Sequence, residues 1–234
     1  MDFYPLNLRM AGKLALVVGG GEVALRKVEG LLEAGANVRL VSPSIHPGLQ
    51  KLARSRDGFS LEERGYDDRD VENVSLVFAC TDDERLNGRV CEMGRSVGAL
   101  VQSASDPADC DFTVPSKIRR GEFLLAISTG GASPALSKKI RERLEKTFPP
   151  AYADYVKLLA RIREKLLQDG KPAAENSPKF RKLVEGKLEE AVLKGKSKEI
   201  ERILTNSLGK DYSLTALGSK KDTGRQTKKK KKSR

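Results

Sequence analysis

Residues 13–24 read Lys-Leu-Ala-Leu-Val-Val-Gly-Gly-Gly-Glu-Val-Ala, an apolar run that empties into three consecutive glycines. A short, unbroken apolar run ending in glycine fits a strand covered on both faces, as strands of a parallel sheet are. Glu22 to Ala34 then reads as a helix, with Val23, Lys27, Gly30 and Leu31 turned toward the sheet and Gly35 as its cap. The connection from Gly19 to Ala24 fits GxGxxA, with Gly19, Gly21 and Ala24 at the fixed positions. Gly19 permits the tight turn out of the strand, Gly21 lets the backbone approach a pyrophosphate closely, and Ala24 lets the helix lie against the strand. The phosphates would meet free backbone N–H groups at the positive end of the helix. Because the motif lies between a strand and a helix, a bound dinucleotide explains it better than a glycine turn that holds nothing.

Further segments extend the alternation. Asn37 to Ser42 reads as a second strand stopped by Pro43, Phe59 to Glu63 as a third and Val74 to Cys80 as a fourth. Asp83 to Ser96 reads as a helix with Leu86, Val90 and Met93 on one side, and Leu100 to Ser103 and Phe123 to Ser128 complete the strands. This order implies an α/β fold with a parallel sheet and right-handed crossovers. Its ligand edge, beyond the carboxyl ends of the strands, would carry Gly19–Val23, Ser42–Ser44, Thr81–Asp83 and Ser103–Asp106. After Gly131 the pattern turns helical. Ser133-Pro134 opens a helix striped by Leu136, Ile140 and Leu144, and Tyr152 to Gln168 follows with a seam of Tyr155, Leu159, Ile162 and Leu166. Two more helices are expected at 178–194 and 197–208.

Composition narrows the function. The net charge of +12 invites a nucleic-acid reading, but residues 219–234 hold nine Lys/Arg against the single Asp222, a net +8 that leaves +4 for the other 218 residues. The basicity is a low-complexity tail, read as solvated and disordered, and nucleic acid is disfavoured as the main partner. Salt-dependent RNA binding through that tail stands as the competing reading. Three cysteines without CxxC spacing argue against a disulfide framework or a zinc site, and no metal ligands are expected. Cys80 reads as a small buried hydrophobe. His46 is the only histidine, so a Ser-His-Asp triad or a multi-histidine metal site would have to draw on this one loop residue. No apolar run reaches the ~20 residues of a membrane span, and Met1 to Pro5 lacks the features of a signal peptide, so the expectation is a cytoplasmic protein with no membrane partner.

The glycine bend alone does not name its ligand. The second strand ends in Ser42-Pro43-Ser44, with no acid for a ribose diol and no following arginine for a 2′-phosphate. Ser42 or Ser44 could bond the ribose, which leaves NAD, NADP and S-adenosylmethionine open.

From Phe3 to Leu144 the chain resembles precorrin-2 dehydrogenases, the NAD-dependent module of sirohaem synthases. Six motifs carry the resemblance: Tyr4-Pro5-Leu6; Val18 to Ala24 followed by Arg26-Lys27; Leu32 to Ala36; Ala79 to Asp83 with Asn87; Asp111 to Ser116; and Ser128 to Pro134. It implies a Rossmann-type NAD-binding domain over 1–114, a dimerisation and substrate segment over 115–150, and a mostly helical C-terminal domain over 151–210. The basic tail would take 211–234. It further implies a homodimer, NAD as hydride acceptor, precorrin-2 as tetrapyrrole substrate and sirohydrochlorin as product; some members also insert ferrous iron.

Carried over, the cofactor positions are Gly19, Gly20, Gly21, Glu22, Val23, Pro43, Ser44, Thr81 and Asp82. Thr129, Gly130, Gly131 and Ser133 would receive the carboxylates of the substrate, since hydroxyls, amides and a helix start converge there. One position departs from the family. Its proposed acid–base aspartate is replaced by Ser105, and Asp106 comes one residue later. A carboxylate can take a proton at neutral pH and an unaided serine cannot. Asp106 therefore either substitutes or is an ordinary Asp-Pro turn residue; otherwise proton loss is left to water, or chelation is impaired. A non-catalytic dinucleotide- or tetrapyrrole-binding protein that lost its chemistry at Ser105 is the alternative function.

Overall fold

A computed structural model of the chain describes residues 3–108, 110–170 and 173–218. The basic tail, 219–234, lies outside the described residues. The chain divides into two compact units, Met1–Val114 and Pro115–Arg234.

In the first unit β1 (Leu14–Val18), β2 (Asn37–Val41), β3 (Phe59–Glu62), β4 (Leu76–Ala79) and β5 (Leu100–Ser103) pair in parallel, in the order β3-β2-β1-β4-β5. Side chains alternate between two cores, as the two-residue period of a strand requires. Ala15, Val17, Val38, Leu40, Leu76 and Phe78 face Ala24, Val28 and Leu31 of α1 (Glu22–Glu33) and Leu49 of α2 (Pro47–Ser55). Leu16, Val18, Val41, Val77, Ala79 and Val101 face Val90 and Cys91 of α3 (Glu84–Ser96). Each fully buried valine or leucine contributes about 1.5–3 kcal/mol, so an unbroken apolar strand such as β1 belongs at the centre.

The strand order reverses between β1 and β4, which opens a crevice beyond their carboxyl ends. Those ends are level: Val18 pairs with Val41 and Ala79, and Ala79 with Ser103.

Two expectations need correction here, and one helix was not anticipated. The sheet-facing side of α1 is Ala24, Val28 and Leu31, an i, i+4, i+7 face, while Val23 lies about 100° round the helix from Ala24 and is exposed. Residues 47–55, between the second and third strands, form a helix that the sequence reading did not assign; Pro47 suits its first position, where the missing N–H costs nothing. Phe123–Ile127 is not a further strand of the parallel sheet.

That segment lies in the second unit as β7, paired antiparallel with β6 (Ser116–Arg120) around Gly121. Then come α4 (Pro134–Thr147), α5 (Tyr152–Gln168), α6 (Ala173–Val184), α7 (Leu188–Leu193) and α8 (Ser197–Leu208). Their core gathers Tyr155, Leu158, Ile162 and Leu166 of α5 with Leu183, Leu188, Ala191, Ile200 and Leu204. The helix expected at 178–194 is two helices: Pro178 sits inside α6, and Gly186 lies in the break before α7. The stripe expected on α4 is largely open, with Leu136 exposed and Ile140 and Leu144 half-buried. Among the described residues no helix is long and apolar enough to cross a membrane.

Candidate functional site

The three glycines of the β1–α1 bend have different reasons to be glycine. Gly19 has φ +113°, and a Cβ there would lie 2.4 Å from the carbonyl oxygen of Cys80. A Cβ on Gly20 would lie 1.9 Å from the carbonyl oxygen of Ser44. The protein itself therefore dictates both. Gly21 is different: its φ of −85° suits any residue, and nothing lies within 4 Å of where its Cβ would be. Neither backbone conformation nor packing inside the chain calls for glycine at this position.

The amides around it are equally open. Gly21 is the N-cap of α1 and offers no side chain to cap it. Among the described residues the N–H groups of Gly20, Gly21, Glu22, Val23 and Ala24 meet no acceptor. Donors left free at the positive end of a twelve-residue helix, beside an empty Cβ cradle, fit a diphosphate.

The loop after β2 braces this bend. The His46 amide donates to the Gly20 carbonyl at 2.8 Å, and the buried Ser42 hydroxyl donates to the Ser44 carbonyl at 2.8 Å. Of the two serines considered for the ribose, Ser42 is thus tied inward, whereas Ser44 and Pro43 are exposed. His46 caps α2, its Nδ1 accepting from the Gly48 amide at 3.0 Å. The single histidine is accounted for by a helix end.

Beyond β4 and β5 stands a knot of polar groups. Asn87, fully buried on α3, accepts from the Thr81 amide at 3.1 Å and donates to the Thr81 carbonyl at 2.9 Å. Its second N–H reaches the Ser105 hydroxyl at 3.0 Å, and that hydroxyl lies 3.1 Å from the Ser103 hydroxyl. The knot adjoins the glycine bend, since Gly19 packs on Cys80 and Thr81. Asp83 caps α3 by accepting from the Arg85 and Leu86 amides, and Asp82 is exposed. The Asp106 carboxylate accepts the Ala108 amide at 2.9 Å, the geometry of an Asx turn.

Sequence reasoning named Asn87 only as part of a motif and gave it no role. The signal was present: Asn87, Val90, Cys91 and Gly94 follow the i, i+3, i+4, i+7 spacing of a buried face, and a buried amide needs partners.

Lys27 lies between the bend and β5. Its ammonium donates to the Gln102 side-chain oxygen at 2.5 Å and sits 5.3 Å from the centre of the Phe78 ring. Burial pulls its pKa below the ordinary lysine value. Burial pushes the Cys80 thiol up to about 11, with the charge of Lys27 opposing the shift, so Cys80 is protonated at neutral pH and no nucleophile.

The bend before α4 uses its own groups. The Thr129 hydroxyl accepts the Ser133 amide at 3.0 Å, and the Ser133 hydroxyl caps α4 by accepting the Leu136 amide at 3.2 Å. Gly130 and Gly131 have φ of 62° and 87°, which is sufficient reason for both glycines.

Fold and bend together define a Rossmann-type NAD(P)-binding protein. A model described as putative NAD(P)-binding matches residues 6–116, and one described as sirohaem biosynthesis protein central matches 125–147. The siroheme synthase of Pseudomonas paraeruginosa (strain DSM 24068 / PA7) is 38% identical over 218 residues, 93% of this chain and 47% of that protein. The siroheme synthase of Nitrosococcus oceani is 35% identical over 208 residues, 89% of this chain and 44% of the relative. The solved structure of SirC, a precorrin-2 dehydrogenase, superposes with a TM-score of 0.70 at 26% identity, covering 86% of this chain and all of that one. Along most of its length the chain is similar to siroheme synthases and to a precorrin-2 dehydrogenase. It spans about half the length of the siroheme synthases it matches.

Proposed function

We propose that this protein oxidises precorrin-2 to sirohydrochlorin with NAD as the oxidant, in the cytoplasm and as a homodimer. The observation that carries the reading is Gly21, a glycine required by nothing inside the chain, surrounded by five amides with no acceptor among the described residues. Bound NAD supplies a nicotinamide ring that accepts a hydride. The chain's own residues position it: the amides of Gly20 to Ala24 hold the diphosphate, and the exposed Ser44 and Pro43 border the adenosine end. Asp82 and the Thr81–Asn87–Ser105 knot border the reacting end.

With the cofactor bound, the substrate would give up a hydride to it and a proton to solvent. Positioning dominates such a transfer, so it needs no general base at 105. Thr129, Gly130, Gly131 and Ser133 are proposed to border the carboxylates of the macrocycle through backbone amides, because both hydroxyls are engaged in capping. The open faces of β7 and α4, with Leu124 and Leu136 exposed, support a second copy as partner.

Purified protein given NAD and precorrin-2 is expected to form NADH in step with sirohydrochlorin absorbance. Absence of both turnover and NAD binding overturns the reading. Iron insertion is a separate activity, read by adding ferrous iron to the product.

A further inference from the structure

Asn87 and Ser103 decide which way the Ser105 proton points. The orientation of the Asn87 amide is fixed by Thr81: its oxygen must take the Thr81 backbone N–H, and its nitrogen must face the Thr81 carbonyl. The remaining N–H of that nitrogen therefore donates to Ser105 Oγ. Ser103 Oγ already accepts the amides of Ser105 and Asp106, both at 3.3 Å, which fills its two lone pairs. Its own proton then has Ser105 Oγ as its partner. Ser105 Oγ thus receives two donors and has no lone pair left. Its proton meets no further acceptor among the described residues, and the residue is exposed at the carboxyl edge of β5.

We infer that Ser105 is a fixed hydrogen-bond donor, aligned by Asn87 and Ser103, that holds an acceptor oxygen of the bound ligand and takes no proton during turnover. The inference rests on the proposed function for the identity of that ligand. The acceptor is a macrocycle carboxylate or the carboxamide oxygen of the nicotinamide. Both present the same chemistry to the hydroxyl, and separate titrations tell them apart. A hydroxyl with both lone pairs occupied cannot serve as a base, so a proton-accepting role for this position is ruled out by the same count.

The test uses the whole chain. Wild-type, Ser105→Ala and Ser105→Asp proteins are titrated separately with NAD and with sirohydrochlorin, then assayed for NAD reduction with precorrin-2 from about pH 6 to about pH 9. Ser105→Ala is expected to weaken one of the two titrations by about tenfold, the loss of a single bond to a strong acceptor, with the melting temperature and the shape of the pH profile unchanged. A loss in the sirohydrochlorin arm assigns the carboxylate, and a loss in the NAD arm assigns the carboxamide. Ser105→Asp is expected to bind worst of the three proteins throughout that range, because its carboxylate stays ionised there and cannot donate.

Asn87→Ala is expected to weaken the same arm, and the double variant to lose no more in that arm than Ser105→Ala alone; a merely structural asparagine would show additive losses. Unchanged titrations for Ser105→Ala, or a higher kcat for Ser105→Asp, overturn the inference. If the wild-type protein binds both ligands without turnover, the dehydrogenase reading falls while the titrations still decide Ser105. If it binds neither, both fall.

Discussion

The β1–α1 bend and the bend before α4 both lead a strand through adjacent glycines into a helix, yet they manage the first turn of that helix in opposite ways. Before α4, Thr129 and Ser133 turn their hydroxyls onto the amides of Ser133 and Leu136, and both glycines have positive φ. Before α1 no side chain caps the helix, five amides lack acceptors among the described residues, and Gly21 has a φ that suits any residue. A glycine that the backbone needs is a structural feature. A glycine that the backbone does not need, next to unpaired donors, indicates a ligand.

The comparison can be broken by substitution. Gly20→Ala carries the largest expected effect, because its Cβ would lie 1.9 Å from the Ser44 carbonyl, which is backbone and cannot swing away. A loss of about 3–5 kcal/mol in urea unfolding is expected, and a loss below about 1 kcal/mol would mean the bend is looser than described.

A proton-linked effect comes next, and it belongs to the first bend alone. The Cys80 thiol has its pKa raised from 9.0 to about 11, chiefly by burial. Between those values the folded state keeps a proton that the unfolded chain releases. The contribution is fully present below about pH 9 and is lost as pH rises through about 11, roughly 2–3 kcal/mol over the window. Cys80→Ala should flatten stability against pH across that range, and an unflattened curve would refute the assignment.

The smallest effects lie at the second bend. Ser133→Ala is expected to cost about 1 kcal/mol as a lost N-cap, and Gly130→Ala about 1–2 kcal/mol, because its φ is 62° although nothing lies near its Cβ. Neither should change NAD affinity. A weakened NAD titration from either would break the contrast between the two bends.

Much of the first unit was legible because parallel strands buried on both faces show as plain apolar runs, so Leu14–Val18 and Leu76–Ala79 stand out. The hairpin partner Ser116–Arg120 did not, since Ile118 is its only buried residue and the rest reads as charge. The helix α2 did not stand out either, since its nine residues bury only Leu49. At the site the glycine pattern was readable, because local geometry imposes it. The separate reasons for Gly19, Gly20 and Gly21 were not, because Cys80 and Ser44 lie far away in the chain. The direction of the Ser105 proton depends on four residues from three segments, and no local pattern contains that information.

The most direct measurement is NAD affinity by calorimetry for Gly21→Ala, paired with its melting temperature. If open space at Gly21 is kept for the cofactor, affinity falls by at least about tenfold while the melting temperature drops by no more than about 4 °C. Unchanged NAD affinity in a folded Gly21→Ala protein would contradict the account.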